Sequence, residues 1–260
     1  MSVPTTARGW VDGWWLAVSL LSVLPVPRHV AVDARTAGRA MTLAPLVGLL
    51  LGAIAAVVWQ GAFWFGLGPV TAALLALGTL VLLTRALHLD GLADLADGLG
   101  SGKAAPEALA IMKRSDIGPF GVVALIFCVG LQVAALGDAG PRAVWALPVA
   151  VATGRLAVMW ACTPRFRAAR PEGLGVLVAG TVGVPGALAS TGTLTIVAMI
   201  AFRDVPVLVS AVPIGLAAAW FVLAAAVRRL GGITGDVLGA LAEVATAASL
   251  LAVAVTFTAP

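Results

Sequence analysis

Apolar runs long enough for membrane-crossing helices alternate with short polar segments along almost the whole chain. Because a helix needs about 20 apolar residues to cross a bilayer, the pattern predicts spans at 10–27, 41–60, 70–87, 117–137, 143–162, 205–227 and 237–257. Residues 175–193 are rich in Gly, Thr and Pro and are interpreted as a loop or re-entrant segment that leads into a further span ending near 202. The predicted fold is an all-α, polytopic membrane helical bundle of about eight spans, with a range of six to eight, in a single domain over 1–260.

One segment, residues 85–118, interrupts the apolar pattern. It is predicted to be helical around 88–98, Gly-rich at 98–102 and helical again over 106–113, where Pro and an acidic residue stand in the first turn. The segment holds five of the 12 acidic residues of the chain, which are Asp90, Asp94, Asp97, Glu107 and Asp116.

Three of these carboxylates share one face of the predicted helix. Asp90, Asp94 and Asp97 are spaced by four and three residues, and at about 100° per residue they occupy an arc of roughly 60°. Like charges this close repel each other unless a cation lies between them. Oxygen ligands suit a hard divalent ion, and the predicted cofactor is therefore Mg²⁺. The alternative of a solvated helix face is less favoured, because Leu, Ala and Gly fill the positions between the aspartates.

Composition supports a membrane protein and narrows its partners. The chain is 61% hydrophobic and 11% charged, whereas globular domains carry about 25% charged residues. The net charge of +4 is spread over short loops, so nucleic acid is not predicted as a partner. Cys128 and Cys162 lie in apolar stretches and are interpreted as small buried residues.

The Lys and Arg residues predict the orientation of the bundle. With eight spans, eleven basic residues fall on one side and three on the other, and the basic side of a membrane protein faces the cytoplasm. The acidic segment is on the basic side, so a cytoplasmic site and outward-facing termini are predicted. The larger set is Arg28, Arg35, Arg39, Lys103, Lys113, Arg114, Arg165, Arg167, Arg170, Arg228 and Arg229, and the smaller set is Arg8, Arg142 and Arg203.

A second loop on the basic side, residues 228–236, has the composition of a phosphate-binding segment. Glycines allow close backbone approach, and two arginines precede them. The loop is predicted to close over the same diphosphate as the aspartates. The expected substrate-binding residues are Lys103, Lys113, Arg228, Arg229, Gly232, Thr234 and Gly235, with Asp236 as a further metal ligand. The two arginines are more often topology markers than ligands, and the two lysines are equally explained as surface charges.

Three ionisable residues near or within the predicted spans have open roles. His88 is either an interface residue or a catalytic group, and Arg155 either pairs with an interior acid or binds substrate. Glu243 lies two turns deeper than Asp236, at a depth where a charge is costly and is a functional candidate. Residues 100–103 suggest a P-loop, but Asp97 and Ala104 stand where that motif needs Gly and Ser or Thr.

Taken together, these motifs resemble the cobalamin-5′-phosphate synthase family, whose members are also called adenosylcobinamide-GDP ribazoletransferases. The central match is the run from His88 to Gly98, which reads H-L-D-G-L-A-D-L-A-D-G. Further matches over nearly the whole chain are Leu24-Pro25-Val26-Pro27, Pro45-Leu46-Val47-Gly48, Ile111-Met112-Lys113, Ile117-Gly118, Glu172-Gly173-Leu174-Gly175 and Gly231 to Asp236. The chain departs from the family pattern at Arg114-Ser115-Asp116, where acid and base are exchanged, and at Ile233, which replaces a Gln.

The resemblance implies a Mg²⁺-dependent transferase of vitamin B12 biosynthesis in the bacterial cytoplasmic (inner) membrane. Adenosylcobinamide-GDP would react with α-ribazole, or its 5′-phosphate, to give adenosylcobalamin, or its 5′-phosphate, and GMP. The proposed catalytic residues are Asp94 and His88, and the general base is either an aspartate not fully committed to metal or His88. The partners are these small molecules and the lipid bilayer, and homo-oligomerisation is left open. A rival interpretation is a cation-coupled transporter, since acids within membrane helices also mark ion paths.

Overall fold

The computed structural model describes residues 5–27 and 30–255, and the regular elements in these ranges are helices. Arg28, one of the residues in the orientation count, lies outside this part of the chain. The all-α prediction is confirmed. The α-helices in chain order are α1 (Thr5–Leu21), α2 (Ala34–Trp64), α3 (Pro69–Thr84), α4 (Leu87–Gly100), α5 (Ala105–Ile111), α6 (Pro119–Ala139), α7 (Ala143–Ala161), α8 (Leu174–Val178), α9 (Val184–Ala201), α10 (Ala211–Leu230) and α11 (Gly235–Val255).

Helices α2, α7 and α11 form the centre of the bundle. α7 is buried along almost its whole length and packs against both of the others. Small residues bring α2 and α7 together, because Gly48 and Gly52 face the α7 backbone at Ala152 and Pro148. The outer surface is apolar, with Trp64 82% and Phe221 75% exposed. Large exposed apolar side chains and long apolar helices together indicate a multi-pass membrane protein.

The number of membrane crossings is not confirmed. Within the described residues, five segments are long and apolar enough to cross a bilayer, or six if α3 and α4 form one bent span. One of the five, Pro119–Ala161, contains both α6 and α7. Gln132 of α6 and Arg155 of α7 line one cavity with Glu243, although they would be about 35 Å apart on a continuous helix. The chain therefore reverses between α6 and α7.

Helix α1 packs against α2. The Arg39 guanidinium is 5.9 Å from the centre of the Trp10 ring, and Trp10 also lines a cavity with Leu46 and Leu49 further along α2. α1 is short, at 17 residues, and it carries Asp12. It is not among the described helices that are long and apolar enough to cross a bilayer, so the predicted span over 10–27 is not confirmed.

Several predicted boundaries were wrong. The loop predicted over 28–40 is helical from Ala34, because Asp33 caps α2 by accepting a hydrogen bond from the Thr36 N–H at 2.7 Å. Residues 184–193, interpreted as loop, belong to α9. Proline is tolerated in its first turn, and its threonine hydroxyls donate to carbonyls four residues earlier, which satisfies their polarity inside the helix.

The sequence predicted that the third span runs straight into the acidic segment, but the structure shows a sharp bend between them. α3 and α4 meet at an angle of 89°. Arg85 and Ala86, between the two helices, have φ values of 51° and 56°. This left-handed conformation is unfavourable for residues with a side chain, so the bend is a specific feature of the fold. The two helices predicted around 88–98 and 106–113 are confirmed as α4 and α5.

The segments predicted to share one side meet at one end of the bundle. Lys113 pairs with Glu172, Arg229 donates to the Lys103 carbonyl at 3.3 Å, and Ala168 forms a parallel bridge with Ile233. The turn between α6 and α7 lies at the opposite end of α6, next to Asp138 in the last turn of that helix. The loops around 101–113, 165–173 and 231–234 are thus in contact with one another in the structure.

We expect a membrane-impermeant maleimide applied to intact cells to label Asp138→Cys but not Lys103→Cys, in a background lacking Cys128 and Cys162. Both positions are exposed, and they lie at opposite ends of the bundle. Permeabilised cells provide the control, since both positions should then react. Labelling of Lys103→Cys from outside would contradict the orientation.

Candidate active site

The acidic helix α4 crosses the start of α11 at very close range. At Gly91, a Cβ atom would be 2.9 Å from the Asp236 Cα, and at Gly239 it would be 3.1 Å from the His88 carbonyl oxygen. Only residues without a side chain permit two helix backbones to approach this closely. The crossing brings His88 and Asp90 of α4 next to Asp236 of α11, although 148 and 146 residues separate them from it in the sequence.

A cavity of about 280 Å³ opens at this crossing. His88, Asp90, Arg170 and Asp236 line its polar part. The remaining wall includes the backbone at Ile233, Thr234 and Gly235 and apolar side chains of α1 and α2. A wider groove of about 680 Å³ adjoins it between residues 22–26 and the α3–α4 bend, and Leu20, Leu87 and Asp90 line both spaces. The loop before α11 and the first turn of α4 therefore line one cavity, while Asp94 and Asp97 are not among its lining residues.

Two of the four aspartates are held by the protein. Both oxygens of the buried Asp97 accept backbone hydrogen bonds, from the Gly118 N–H at 2.7 Å and the Gly121 N–H at 2.9 Å. A carboxylate here stabilises the beginning of α6. Asp236 accepts from the Thr234 hydroxyl at 3.2 Å and pairs with Arg170 at 3.4 Å. These bonds fix the orientation of both carboxylates.

Asp90 and Asp94 differ from these two, because in the described part of the chain no side-chain hydrogen bond or ion pair engages their carboxylates. Asp94 is nevertheless close enough to Asp90, Asp97 and Asp236 to be repelled by all three. These neighbouring carboxylates carry excess negative charge and offer only oxygen atoms as ligands, which suits a hard divalent cation. Over residues 5–27 and 30–255, however, no three acidic, imidazole or thiol groups are already gathered as a metal site.

The cation that lines the cavity is Arg170. Besides its pairing with Asp236, it donates to the Leu109 carbonyl at 2.8 Å and so connects α5 to the start of α11. Sequence analysis used this residue only to count charges. Its position two residues before the Glu172-Gly173 motif was the signal that could have singled it out.

The other basic residues named from the sequence lie on the rim. Arg228 and Arg229 are exposed on the last turn of α10. Lys103 is exposed and 3.9 Å from Glu107, and Lys113 binds Glu172, which lines the cavity. The hydrogen bond from Lys113 lowers the pKa of the Glu172 carboxyl below its ordinary value. Arg114 and Asp116, where the chain departs from the family pattern, are also exposed.

The loop before α11 is held by backbone contacts. The Ile233 N–H donates to the Arg167 carbonyl at 2.8 Å, and the Ala169 N–H donates to the Ile233 carbonyl at 2.9 Å. Gly232 lies directly against the backbone of Arg167 and Ala168. The Thr234 hydroxyl accepts from the Val237 N–H at 3.2 Å, as an N-cap does. Gly232, Thr234 and Gly235 thus shape the cavity wall, whatever further contacts they make with a ligand.

His88 is buried on the side of the cavity that faces the bundle interior. Its Nδ1 is 3.4 Å from an Nη atom of Arg155, which is itself 3% exposed. Behind them, Gln132 donates to the Glu243 carboxylate at 3.0 Å. The sequence left open whether Arg155 pairs with an interior acid, and the structure places it in one cavity with Glu243.

The chain is similar over nearly its full length to proteins of one kind. A family model described as cobalamin-5-phosphate synthase matches residues 13–254. An adenosylcobinamide-GDP ribazoletransferase of Frankia casuarinae is 41% identical, and the alignment covers 94% of this chain and 95% of the relative. Proteins of the same name from a Nocardioides species and from Escherichia coli are 41% and 35% identical, with 93% and 92% of this chain covered and 97% and 98% of the relatives. No solved structure matches the chain.

Proposed function

Since this chain belongs to the cobalamin-5-phosphate synthase family, we propose that the cavity at the α4–α11 crossing joins adenosylcobinamide-GDP to α-ribazole, or to α-ribazole 5′-phosphate, with release of GMP. The chain is a transferase of cobalamin biosynthesis, as its family and relatives indicate. The observation that carries the assignment of the site is that Asp90, Asp236 and Arg170, from three separate segments, line one cavity with the glycine-rich loop.

The chemistry requires one bond to form and one to break at phosphorus. The ribose hydroxyl oxygen of the acceptor attacks the diphosphate phosphorus that bears the cobinamide, the bond to the GMP oxygen breaks, and the hydroxyl proton passes to a base. Such transfers depend on positioning and on neutralising charge. Asp90 and Asp94 are the carboxylates left without partners in the described structure, so one of them is the proposed proton acceptor.

Arg170 and the loop backbone stabilise the charge that develops on the leaving GMP. Arg170 is oriented by two hydrogen bonds before any ligand arrives, which makes it a preorganised donor. The narrow cavity suits the diphosphate, and the wider groove beside Asp90 offers the space that the bulky corrinoid half requires. Roles for Lys103, Lys113, Arg228 and Arg229 at the rim remain predictions from the sequence.

The proposed metal is Mg²⁺, held by Asp90 and Asp94, with Asp97 and Asp236 as the further ligands predicted from the sequence. When bound, it supplies charge neutralisation for the diphosphate oxygens. The chain's own residues hold Asp97 and Asp236 in place, and Arg170 is paired with Asp236. The site is proposed to face the cytoplasm of the bacterial inner membrane, because the joined loops carry the basic residues.

Purified protein in detergent, given both substrates and Mg²⁺, should release GMP and form adenosylcobalamin or its 5′-phosphate in equal amounts. Removal of the divalent ion with EDTA should stop the reaction, and added Mg²⁺ should restore it. The rival transporter function predicts cation-dependent uptake into proteoliposomes and no GMP. Uptake without product would refute the assignment, whereas product formed in EDTA would refute only the metal.

Arg170→Met is expected to lower turnover on the order of 100-fold, because it removes a preorganised cation next to the diphosphate. Arg229→Ala should have a smaller effect, since Arg229 is exposed at the rim, and it serves as the matched control. Arg170→Lys should recover part of the loss through its charge. Initial rates of GMP release at saturating substrate measure the order of the three variants. A larger loss of turnover for Arg229→Ala than for Arg170→Met would indicate that the diphosphate is bound at the C-terminal end of α10.

A further inference from the structure

A buried polar chain extends from the active-site cavity into the apolar bundle. His88, Arg155 and Gln132 are each 3% exposed, and they come from α4, α7 and α6. With Glu243 of α11, they connect four helices through side chains that are costly to bury. The proposed chemistry uses none of Arg155, Gln132 and Glu243, so their presence behind His88 needs its own explanation.

The contact between Arg155 and His88 restricts the imidazole to one form. A guanidinium group donates hydrogen bonds and cannot accept them. In the 3.4 Å contact, His88 Nδ1 must therefore be the acceptor, which means that it carries no proton. A neutral imidazole with a bare Nδ1 carries its proton on Nε2. In the described part of the chain, Nε2 has no hydrogen-bond partner, and His88 lines the active-site cavity at the α4–α11 crossing.

Arg155 is kept in place by the surroundings of a second cavity. This space, about 200 Å³, is lined by Arg155, Gln132, Glu243 and Thr246 among apolar residues of α3. Glu243 is close enough to attract the guanidinium, and Gln132 fixes Glu243 through the 3.0 Å hydrogen bond. The Nε atom of Arg155 is buried without a partner in the described structure. The guanidinium is therefore in contact with His88 and is attracted by the Glu243 carboxylate.

We propose that Arg155 is a positioning residue that holds His88 in the tautomer protonated at Nε2, so that His88 donates a hydrogen bond to a substrate phosphoryl oxygen and is not the proton acceptor. The substrate part of this inference rests on the proposed function. It resolves the choice of base, because a histidine whose lone pair is bound by Arg155 has none to offer the attacking hydroxyl. An aspartate must then take that proton.

The tautomer can be tested without turnover. The chain has two histidines, so ¹⁵N-histidine labelling of the His29→Gln protein leaves one imidazole to observe in lipid nanodiscs. We expect an unprotonated Nδ1 and a protonated Nε2 at neutral pH. Arg155→Met should change this pattern towards the other tautomer or an average of both. A protonated Nδ1 in the unaltered site, or no change in Arg155→Met, would overturn the proposal even if the protein were fully active.

The kinetic test separates a donor from a base. Glutamine at position 88 can place an amide N–H near the site of Nε2 but cannot accept a proton, so His88→Gln should be on the order of 10-fold more active than His88→Ala. Arg155→Met should lower kcat by about 10–100-fold with little change in KM. Thr153→Val is the matched control on α7, because among the described residues its hydroxyl bonds only the Val149 carbonyl of its own helix. Equal activities of His88→Gln and His88→Ala would exclude the donor role.

Discussion

Asp94→Asn is expected to reduce GMP release by about 10³-fold or more, corresponding to the loss of several kcal/mol of transition-state stabilisation. The substitution keeps the size of the side chain but removes the charge. In the described structure, Asp94 is one of two site carboxylates without a hydrogen bond of its own, and three other carboxylates repel it. Arg170 attracts the same carboxylate, but burial and the three neighbouring charges outweigh it. The Asp94 charge therefore opposes folding, which points to a role in binding the cation or accepting the proton.

The same argument predicts an opposite effect on stability. Because the Asp94 charge is repelled in the folded protein, Asp94→Asn should unfold at the same temperature as the parent or a higher one. Asp138→Asn is the matched control, since that aspartate is exposed in the turn at the far end of α6. Rates at saturating Mg²⁺ and thermal unfolding in detergent measure the two effects. An active Asp94→Asn protein would remove this residue from the mechanism.

The second large effect is expected at a residue with no functional group. Gly91→Ala should lower turnover by about 100-fold, since a displacement of about 1 Å can cost that much. The new Cβ would be 2.8 Å from the Asp236 carbonyl oxygen, and backbone cannot yield as a flexible side chain does. α4 and α11 must therefore separate, which moves Asp90 away from Asp236 and costs about 1–3 kcal/mol of stability.

Gly130→Ala is the control for this experiment, because a Cβ at Gly130 meets no atom within 4 Å. Alanine favours the helix over glycine, so this variant should be as stable as the parent or more so, and equally active. Michaelis–Menten analysis should show the Gly91→Ala loss in kcat, where misplacement of the reacting groups appears. Unchanged kinetics in Gly91→Ala would mean that the α4–α11 distance does not control the reaction.

The sequence predicted which elements carry the site better than what each side chain does there. Periodicity correctly placed α4 and its one-sided aspartates, since spacing defines a helix face. It could not show that Asp97 faces the α6 start, because that contact depends on how two helices pack. The glycines at 118 and 121 leave room for the Asp97 carboxylate beside their N–H groups. Without the fold, they were only part of a family motif.

Errors in the predicted spans have a similar origin. Hydropathy measures the solvent that a segment prefers but not its direction, so the third span was predicted to run straight into the acidic segment. The direction of α4 relative to α3 depends on the backbone conformation of the two residues between these helices. Arg85 and Ala86 adopt left-handed conformations, which no composition signal marks. Arg170 was overlooked for the same reason, because its partners, Asp236 and the Leu109 carbonyl, are distant in sequence.

The right-angled turn before α4 sets the direction of the aspartate row relative to the span that precedes it. Asp90 and Asp97 are about 10 Å apart along the helix axis. If α4 continued α3, this row would extend along the α3 axis. The 89° bend turns it across that axis instead. Asp90 then lies beside Asp236 at the start of α11 while Asp97 reaches the first turn of α6, so that one short helix contacts the beginnings of two long ones.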